Sequence, residues 1–592
     1  MLEIYTNGQL TDLGADTEIT LDIENPMFTD DRIPAPYALD YELPLSVRNR
    51  RLFGFPDRLT SRAAMRDIPT TIHFGGLVIA RGMQKVEQVG ETLSLSFTGA
   101  LFPESRRRFL FRQDLGQLYL GTVEIPESGQ DFDSSQSRSY CDTVLKKLAN
   151  DPNAYMVAPP VGIRDVEFPA SEGSDSFNQQ NHLFINFFSD GYTAEPDGSN
   201  FSNHISKILP AFRIGWLFET IFGDSLTNNI FDSGPLNRLM LLSRWHPKYQ
   251  VDNDFPVMDL DKSTGNTSIT YADFLPKMAA NEFVVQMLKI PCATMFATGE
   301  GFSIELNKDI LVRSDADIPD WTDRIVGDPE ISLDPGRDYE YGYNGDDGEL
   351  ADEIVPVKVN SIRDMFRDAY AGDTLKTYEI ASTGQIIESL YDTDSGNRFR
   401  FHVVRQAMGK NEKREEDDPL SDERSSYDAH FGGTVLWNNL RGEVLRDGQN
   451  KKRFQYVPEG PPIDDERPDD LTIGLYWGLK KRFDLTDTTH SDTYPYMSHC
   501  NYDAEGNRLG DLSLCYDGPD GLIEKYHKEF KEYMERDKRL VTAAVRLTPL
   551  DLHRLDLRRK VYVRGCIYFI KTLSVTLTSS RILPAEVELI EA

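Results

Sequence analysis

Along most of the chain apolar and polar residues alternate with a period of two. In TEITLDIE the residues Ile19, Leu21 and Ile23 fall on one side, and TTIHFGGLVIARG and ETLSLSFTG repeat the pattern, broken at Gly75-Gly76 and Gly90. Residues 1–125 therefore predict a small antiparallel barrel or sandwich. Residues 126–265 read as a mixed, loop-rich α/β unit, in which Ile214, Leu217, Phe218, Ile221 and Phe222 recur at helical spacing. Residues 266–410 predict a helix over TYADFLPKMAANEFVVQML, kinked or started by Pro276, and a hairpin turning at Gly299-Glu300-Gly301. Residues 411–592 predict an α+β unit: strand TIGLYWGLKKRF, a long helix with Leu522, Tyr526, Phe530, Tyr533 and Met534 on one face, and closing strands. In CIYFIKTLSVTL strict alternation puts Ile567, Phe569, Leu573, Val575 and Leu577 on one face and Tyr568, Ile570, Thr572, Ser574 and Thr576 on the other. The fold class expected is mainly β with α+β elements, multidomain, with a few helices.

Charge narrows the function classes. The 592 residues carry 64 Lys and Arg against 96 Asp and Glu, a net charge of −32. Such a chain is repelled by phosphate backbones, so tight nucleic-acid binding is not expected, although nucleic acid could slide past it. The five cysteines form no CxxC, which argues against a disulfide scaffold or zinc ribbon. The acidic N-terminus lacks the basic and apolar regions of a signal peptide, and no stretch is long and apolar enough for a membrane helix; a soluble protein without stable membrane insertion is expected.

Familiar catalytic motifs are missing. No two of the ten histidines lie within five residues of one another, and neither HExxH, GxSxG, Walker A nor GxGxxG occurs. We expect no enzyme, no catalytic residues, no cofactor and no bound metal. Three acidic loops partly match a calcium template. DLDKSTG offers Asp259, Asp261 and Ser263 but has Thr264 and Thr270 where glycine and glutamate belong. NYDAEGNRLGDL offers Asn501, Asp503, Glu505 and Gly506 but ends on Leu512, and YDTDSGNRF offers Asp392 and Asp394. All three read as Asp/Asn/Gly turns.

Two basic spots interrupt the acidic background: Arg106, Arg107, Arg108 and Arg112, and the span 536–571, with ten Lys and Arg against three Asp. Arg558, Arg559 and Lys560 lie at the centre of the second. In so acidic a chain, contact with acidic surfaces of neighbouring subunits is expected of these residues rather than phosphate binding, with a solvated face as the simpler reading.

The C-terminal stretch from Gly521 to Leu589 resembles the end of phage tail-tip or baseplate-hub structural proteins. The resemblance rests on Gly521-Leu522, Tyr526, Asp551-Leu552, Leu555-Asp556, Val561, Val563, Gly565, Tyr568, Ile570 and Leu573. ITYADFLPKMAANEFVVQML with the following hairpin and Lys308 to Leu311, and DTEITLDIENPMF with YALDYELPLSVRNRRLFGF, are similar to middle and N-terminal parts of the same proteins. About half of the chain is touched, in three places. The resemblance implies tail-tube-like β-barrel domains, a homotrimeric ring joining tail tube to tip or spike, partners among tube, tape-measure and tip or fibre proteins, and location in the virion tail after assembly in the host cytoplasm. An acidic lumen would let DNA pass without adhesion. The stretches 166–205 and 409–432 depart from the family pattern as insertions. The rival readings are a glycan-binding or glycan-cleaving tail protein, with Trp437, Trp477, Tyr494 and Tyr496 stacking on sugars, and the hub of a contractile injection device.

Overall fold

The structure is a computed structural model of the whole chain. It describes residues 1–29, 37–61, 66–99, 114–124, 210–242, 268–297, 301–314, 318–336, 471–481, 493–503 and 507–592, with short segments between 155 and 185, 250 and 257, 339 and 458, and at 483–484. Within these residues it is mainly β with a few helices, in several antiparallel sheets.

The largest sheet has twelve strands, eleven drawn from the two ends of the chain and one from its middle. These are β1 (Leu2–Thr6), β2 (Gln9–Leu10), β3 (Glu18–Glu24), β4 (Tyr37–Pro44), β5 (Ile68–Phe74), β6 (Leu77–Val89) and β7 (Thr92–Gly99), then β8 (Ile325–Asp334), β9 (Lys538–Val545), β10 (Lys560–Val563), β11 (Cys566–Thr578) and β12 (Ala585–Glu591). Their order is β2-β1-β5-β6-β7-β4-β3-β11-β12-β9-β8, with β10 also paired to β11. The join is β3 on β11, antiparallel, with Ile19, Leu21 and Ile23 opposite Leu577, Val575 and Leu573. The sheet curls until the Leu2 N–H donates to the Ser579 carbonyl at 3.1 Å, so β1 reaches the far end of β11. The alternating apolar positions fill the enclosed side: Leu2, Ile4, Ile19, Leu21, Leu43, Ile72, Leu93, Leu95 and Phe97 are buried together with Val575, Leu577, Val587 and Leu589. A buried polar chain crosses this interior, from Tyr41 Oη to Gln84 Oε1 and from Gln84 Nε2 to Thr6 Oγ1 (2.6 Å). Its fully satisfied groups fix the register of three strands at little cost.

A second core lies under the middle of the chain. The helix Ile214–Phe222 buries all five of its predicted apolar residues. Phe218 packs on Phe231 and Phe283 with ring centroids 4.8 and 6.1 Å apart. The helix Ala280–Lys289 and the hairpin Ala293–Ala297 with Phe302–Leu306 cover it. So do the strands Leu239–Leu242 and Leu471–Lys481, paired antiparallel.

Three local expectations are corrected. The helix predicted from Tyr271 divides: Tyr271–Phe274 is a single 3-10 turn, and the α-helix begins at Ala280, four residues beyond Pro276. Leu275 before the proline is extended (ψ 152), as the proline ring demands. In β11 the alternation breaks at a bulge between Ile570 and Thr572, which shifts the face by one residue. Tyr568 and Ile570 therefore join Leu573, Val575 and Leu577 in the sheet core, and Phe569 turns to the second core. Asn25, buried at the end of β3, fills the irregularity: its N–H donates to Lys571 O (2.8 Å) and its Nδ2 to Ile570 O and Leu557 O (both 2.9 Å). The helix predicted after Gly521 opens with one π turn, Ile523–His527, before the α-helix Lys528–Glu535.

Candidate functional site

Arg106, Arg107, Arg108 and Arg112 lie outside the described residues, as do the DLDKSTG loop and Asp394. The C-terminal basic span is described throughout, and the structure sorts it by residue type.

Two of its three lysines, Lys538 and Lys560, turn inward. Lys538, the first residue of β9, is 2% exposed; its Nζ donates to the carbonyls of Tyr533, Met534 and Arg536 at 3.1, 3.0 and 2.8 Å. A buried cation thus caps the C-terminal end of the helix Lys528–Glu535, where carbonyls lack partners and the helix dipole is negative. Lys560 Nζ donates to Leu311 O (2.8 Å) and Arg313 O (3.2 Å), tying β10 to the end of the short helix Asn307–Val312. Arg536, Arg539, Arg546, Arg554, Arg559 and Arg564 remain exposed.

Arg558 belongs with the lysines. It grips Asp556 in a fork, Nε to Oδ1 at 2.8 Å and Nη2 to Oδ2 at 2.9 Å, and its Nη1 reaches Glu305 Oε1 on the central hairpin. The other oxygen of Glu305 accepts from Arg313 Nη2 at 2.9 Å. Burial alone would raise the Asp556 carboxyl, but the hydrogen bonds from Arg558 outweigh it and hold the group below its ordinary value. The same fork raises Arg558. This chain of four charges clamps the central hairpin to the C-terminal strands.

The third polar centre replaces the best calcium template. Asn501 turns its Nδ2 toward Gly510 O (2.9 Å) and Asp520 Oδ2 (2.7 Å), and Leu512 is buried. Asp520 is held by Arg508 (2.7 Å) and Lys525 (3.2 Å). Burial tends to raise its carboxyl, and the hydrogen bonds from Lys525, Asn501 and Arg508 win and lower it. Among the described residues no group of three or more His, Cys, Asp or Glu is placed to hold a metal ion. No helix of the described residues is long and apolar enough to cross a membrane.

Of the aromatics weighed for sugar stacking, Trp477 and Tyr496 are enclosed in the second core, and Trp477 Nε1 donates to Ser498 Oγ at 3.0 Å. The side chains of Trp437 and Tyr494 lie outside the described residues.

Three features were not read from the sequence. His527, in the π turn, is buried with Nε2 2.9 Å from Ile290 O, and burial lowers it to about 4. Asp232 is raised to about 6, by burial first and by neighbouring Glu219 second. Its Oδ1 lies where a Cβ on Gly215 would sit, 2.0 Å from that point, so only glycine admits the approach. Lastly, an open cavity of about 690 Å3 lies between the end of the helix Asn307–Val312 and the helix Lys528–Glu535, lined by Val312, Glu529, Glu532, Tyr533, Lys560 and Ile567 among others. Glu529 Oε2 is buried there without a hydrogen-bond partner. No sequence pattern marks these sites, since each joins residues from separate elements.

No family model matches the chain, and no curated protein matches it. Among solved structures, the prophage MuSo2 43 kDa tail protein from Shewanella oneidensis aligns over 100% of this chain and 96% of its own, at 7% identity and a TM-score of 0.31. The tail protein from Neisseria meningitidis MC58 aligns over the same shares at 8% identity and a TM-score of 0.30.

Proposed function

We propose that the protein is a structural component of a phage or prophage tail, a homotrimeric hub that joins the tail tube to the tip or spike. One observation carries the reading. The three stretches that resemble tail-hub proteins, far apart in sequence, meet in one body: the N-terminal strands pair with β11, and the central hairpin is clamped to the C-terminal strands through Glu305 and Arg558.

In this reading the interior of the curled sheet is not the conduit, because it is filled with apolar side chains. Any DNA passage runs between copies, along surfaces that the net charge of −32 keeps non-adhesive. The exposed arginines of the 536–571 span, Arg559 among them, are the subunit-contact candidates; Arg558 and Lys560 act as internal clamps that shape that surface. Partners are tube, tape-measure and tip or fibre proteins, and neither cofactor nor catalytic chemistry is assigned. The enclosed rings of Trp477 and Tyr496 give no support to sugar stacking at those positions.

The test is the mass of the purified protein in solution together with labelling of the protein in particles. The expected result is a trimer and label at the distal tail end. A monomer absent from the tail tip overturns the reading.

A further inference from the structure

We infer that β8 is a docking edge for an extended segment of another protein in which aliphatic and basic residues alternate. β8 ends the twelve-stranded sheet: its inner side pairs with β9, and among the described residues no strand pairs with its outer side. An open row of N–H and C=O groups is a template for strand addition. The first half of β8 is closed to such addition. A register shift between Val326 and Glu330, Gly327 at φ +79 and Pro329 bend that half and remove a donor. The second half, Glu330–Asp334, pairs with Thr542 to Lys538 without irregularity, a docking length of about 17 Å.

The two faces of that half specify the partner. Ile331 and Leu333 stand opposite Val541, a sheet-core residue, and exposed Arg539, and present aliphatic side chains at the edge, 65% and 73% exposed. Glu330, Ser332 and Asp334 stand on the other face and make no side-chain hydrogen bond among the described residues. The strand IVGDPEISLD holds three acids and no base. Two copies of β8 paired edge to edge would set acid beside acid, which is unfavourable, so self-pairing is disfavoured. A strand with aliphatic side chains beside Ile331 and Leu333, and Lys or Arg beside Glu330 and Asp334, satisfies both faces. The inference does not depend on the tail reading.

The test uses the full chain and three fluorescein-labelled seven-residue peptides, alternating Lys/Val, Glu/Val and Lys/Ser, followed by anisotropy at physiological salt. The Lys/Val peptide is expected to bind saturably and at least tenfold more tightly than the other two, the Lys/Ser peptide measuring general attraction to an acidic protein. Glu330→Lys with Asp334→Lys is expected to weaken binding at least tenfold, as is Ile331→Ser with Leu333→Ser, which keeps the proposal testable if the charge variant does not fold. Glu87→Lys with Glu91→Lys, an equal charge change on β6 and the turn that follows it, is expected to leave binding unchanged. Hydrogen exchange of a fragment spanning 325–336 should slow when Lys/Val peptide is added. Equal binding of Lys/Ser and Lys/Val, equal binding by the edge variants, or a β8-dependent dimer in place of peptide capture each overturns the proposal.

Discussion

In the sheet core, residues from opposite ends of the chain meet through main-chain ladders. Thr20 and Thr576, 556 positions apart, share a hydrogen bond across β3 and β11, and the apolar side chains beneath them are buried. The second core is also apolar inside and takes in Phe569 and Ile590 from the sheet, but point contacts between polar groups hold its edges in place. These are the Arg558–Glu305 pair and Lys560 on Leu311 and Arg313, which face the C-terminal strands, and, within the second core itself, His527 on Ile290. Ladders depend on register and apolar area and are insensitive to salt and pH; the fastenings depend on protonation and on matched charges. One molecule thus carries a seam that solution conditions leave alone and a seam that they can loosen.

The most disruptive way to break this contrast is to slip the alternation of β11 by one residue beyond the bulge. Deletion of Ser574 makes Leu573 and Val575 adjacent, so either Tyr568, Ile570 and Leu573 or Val575 and Leu577 face the wrong side. The expected outcome is loss of the cooperative unfolding transition of both chain ends, read by calorimetry and hydrogen exchange. Leu577→Ala, at a position with no exposure, should cost about 4 kcal/mol in urea unfolding, with the protection of β1, β3 and β11 lost together.

The third experiment addresses the polar contacts of the second core through pH. His527 is neutral in the folded protein, lowered to about 4 from an ordinary 6.5, so the unfolded chain takes up its proton first as pH falls. Stability is intact above pH 6.5 and declines until about pH 4, by about 3 kcal/mol in all. The lowered carboxyls of Asp520 and Asp556 pull in the same direction at still lower pH. His527→Gln should flatten the slope between pH 6.5 and 4, and an unchanged slope would place that sensitivity elsewhere.

Arg558→Met should cost about 2 kcal/mol, since it leaves Asp556 and Glu305 without their shared partner. Faster exchange is expected in the hairpin Ala293–Leu306 while β3 and β11 stay protected. The smallest effect has the opposite sign. Asp232 is raised to about 6, so its ionisation disfavours the folded state as pH rises from the ordinary carboxylate range through 6. Asp232→Asn should stabilise by about 1 kcal/mol at pH 7.5, a value reduced for solvent screening, and by nothing at pH 4.

The elements of this fold were legible where period alone decides. The strands from Ile19 to Ile23 and around Gly75-Gly76, and the helix bearing Phe218 and Phe222, follow from alternation or helical spacing. What the sequence did not disclose depends on a partner distant in the chain. The bulge in β11 is stabilised by Asn25, and nothing within CIYFIKTLSVTL signals it. The basic span looked uniform by charge, yet burial separates Lys538, Arg558 and Lys560 from the arginines that stay outside. A charge count sees formal charge; carbonyls and carboxylates brought in by other elements decide where each side chain goes.

The pairing of β3 with β11 also sets a schedule for synthesis. At roughly 5–20 residues per second, the 556 residues between Thr20 and Thr576 take roughly 30–110 s to translate. During that interval the N-terminal meander leaves the ribosome with one edge open and its apolar face half covered. The earliest part of the chain to be made is therefore among the last to be completed, and a message cut short before β11 yields an unsealed sheet prone to pair with its neighbours rather than a folded fragment.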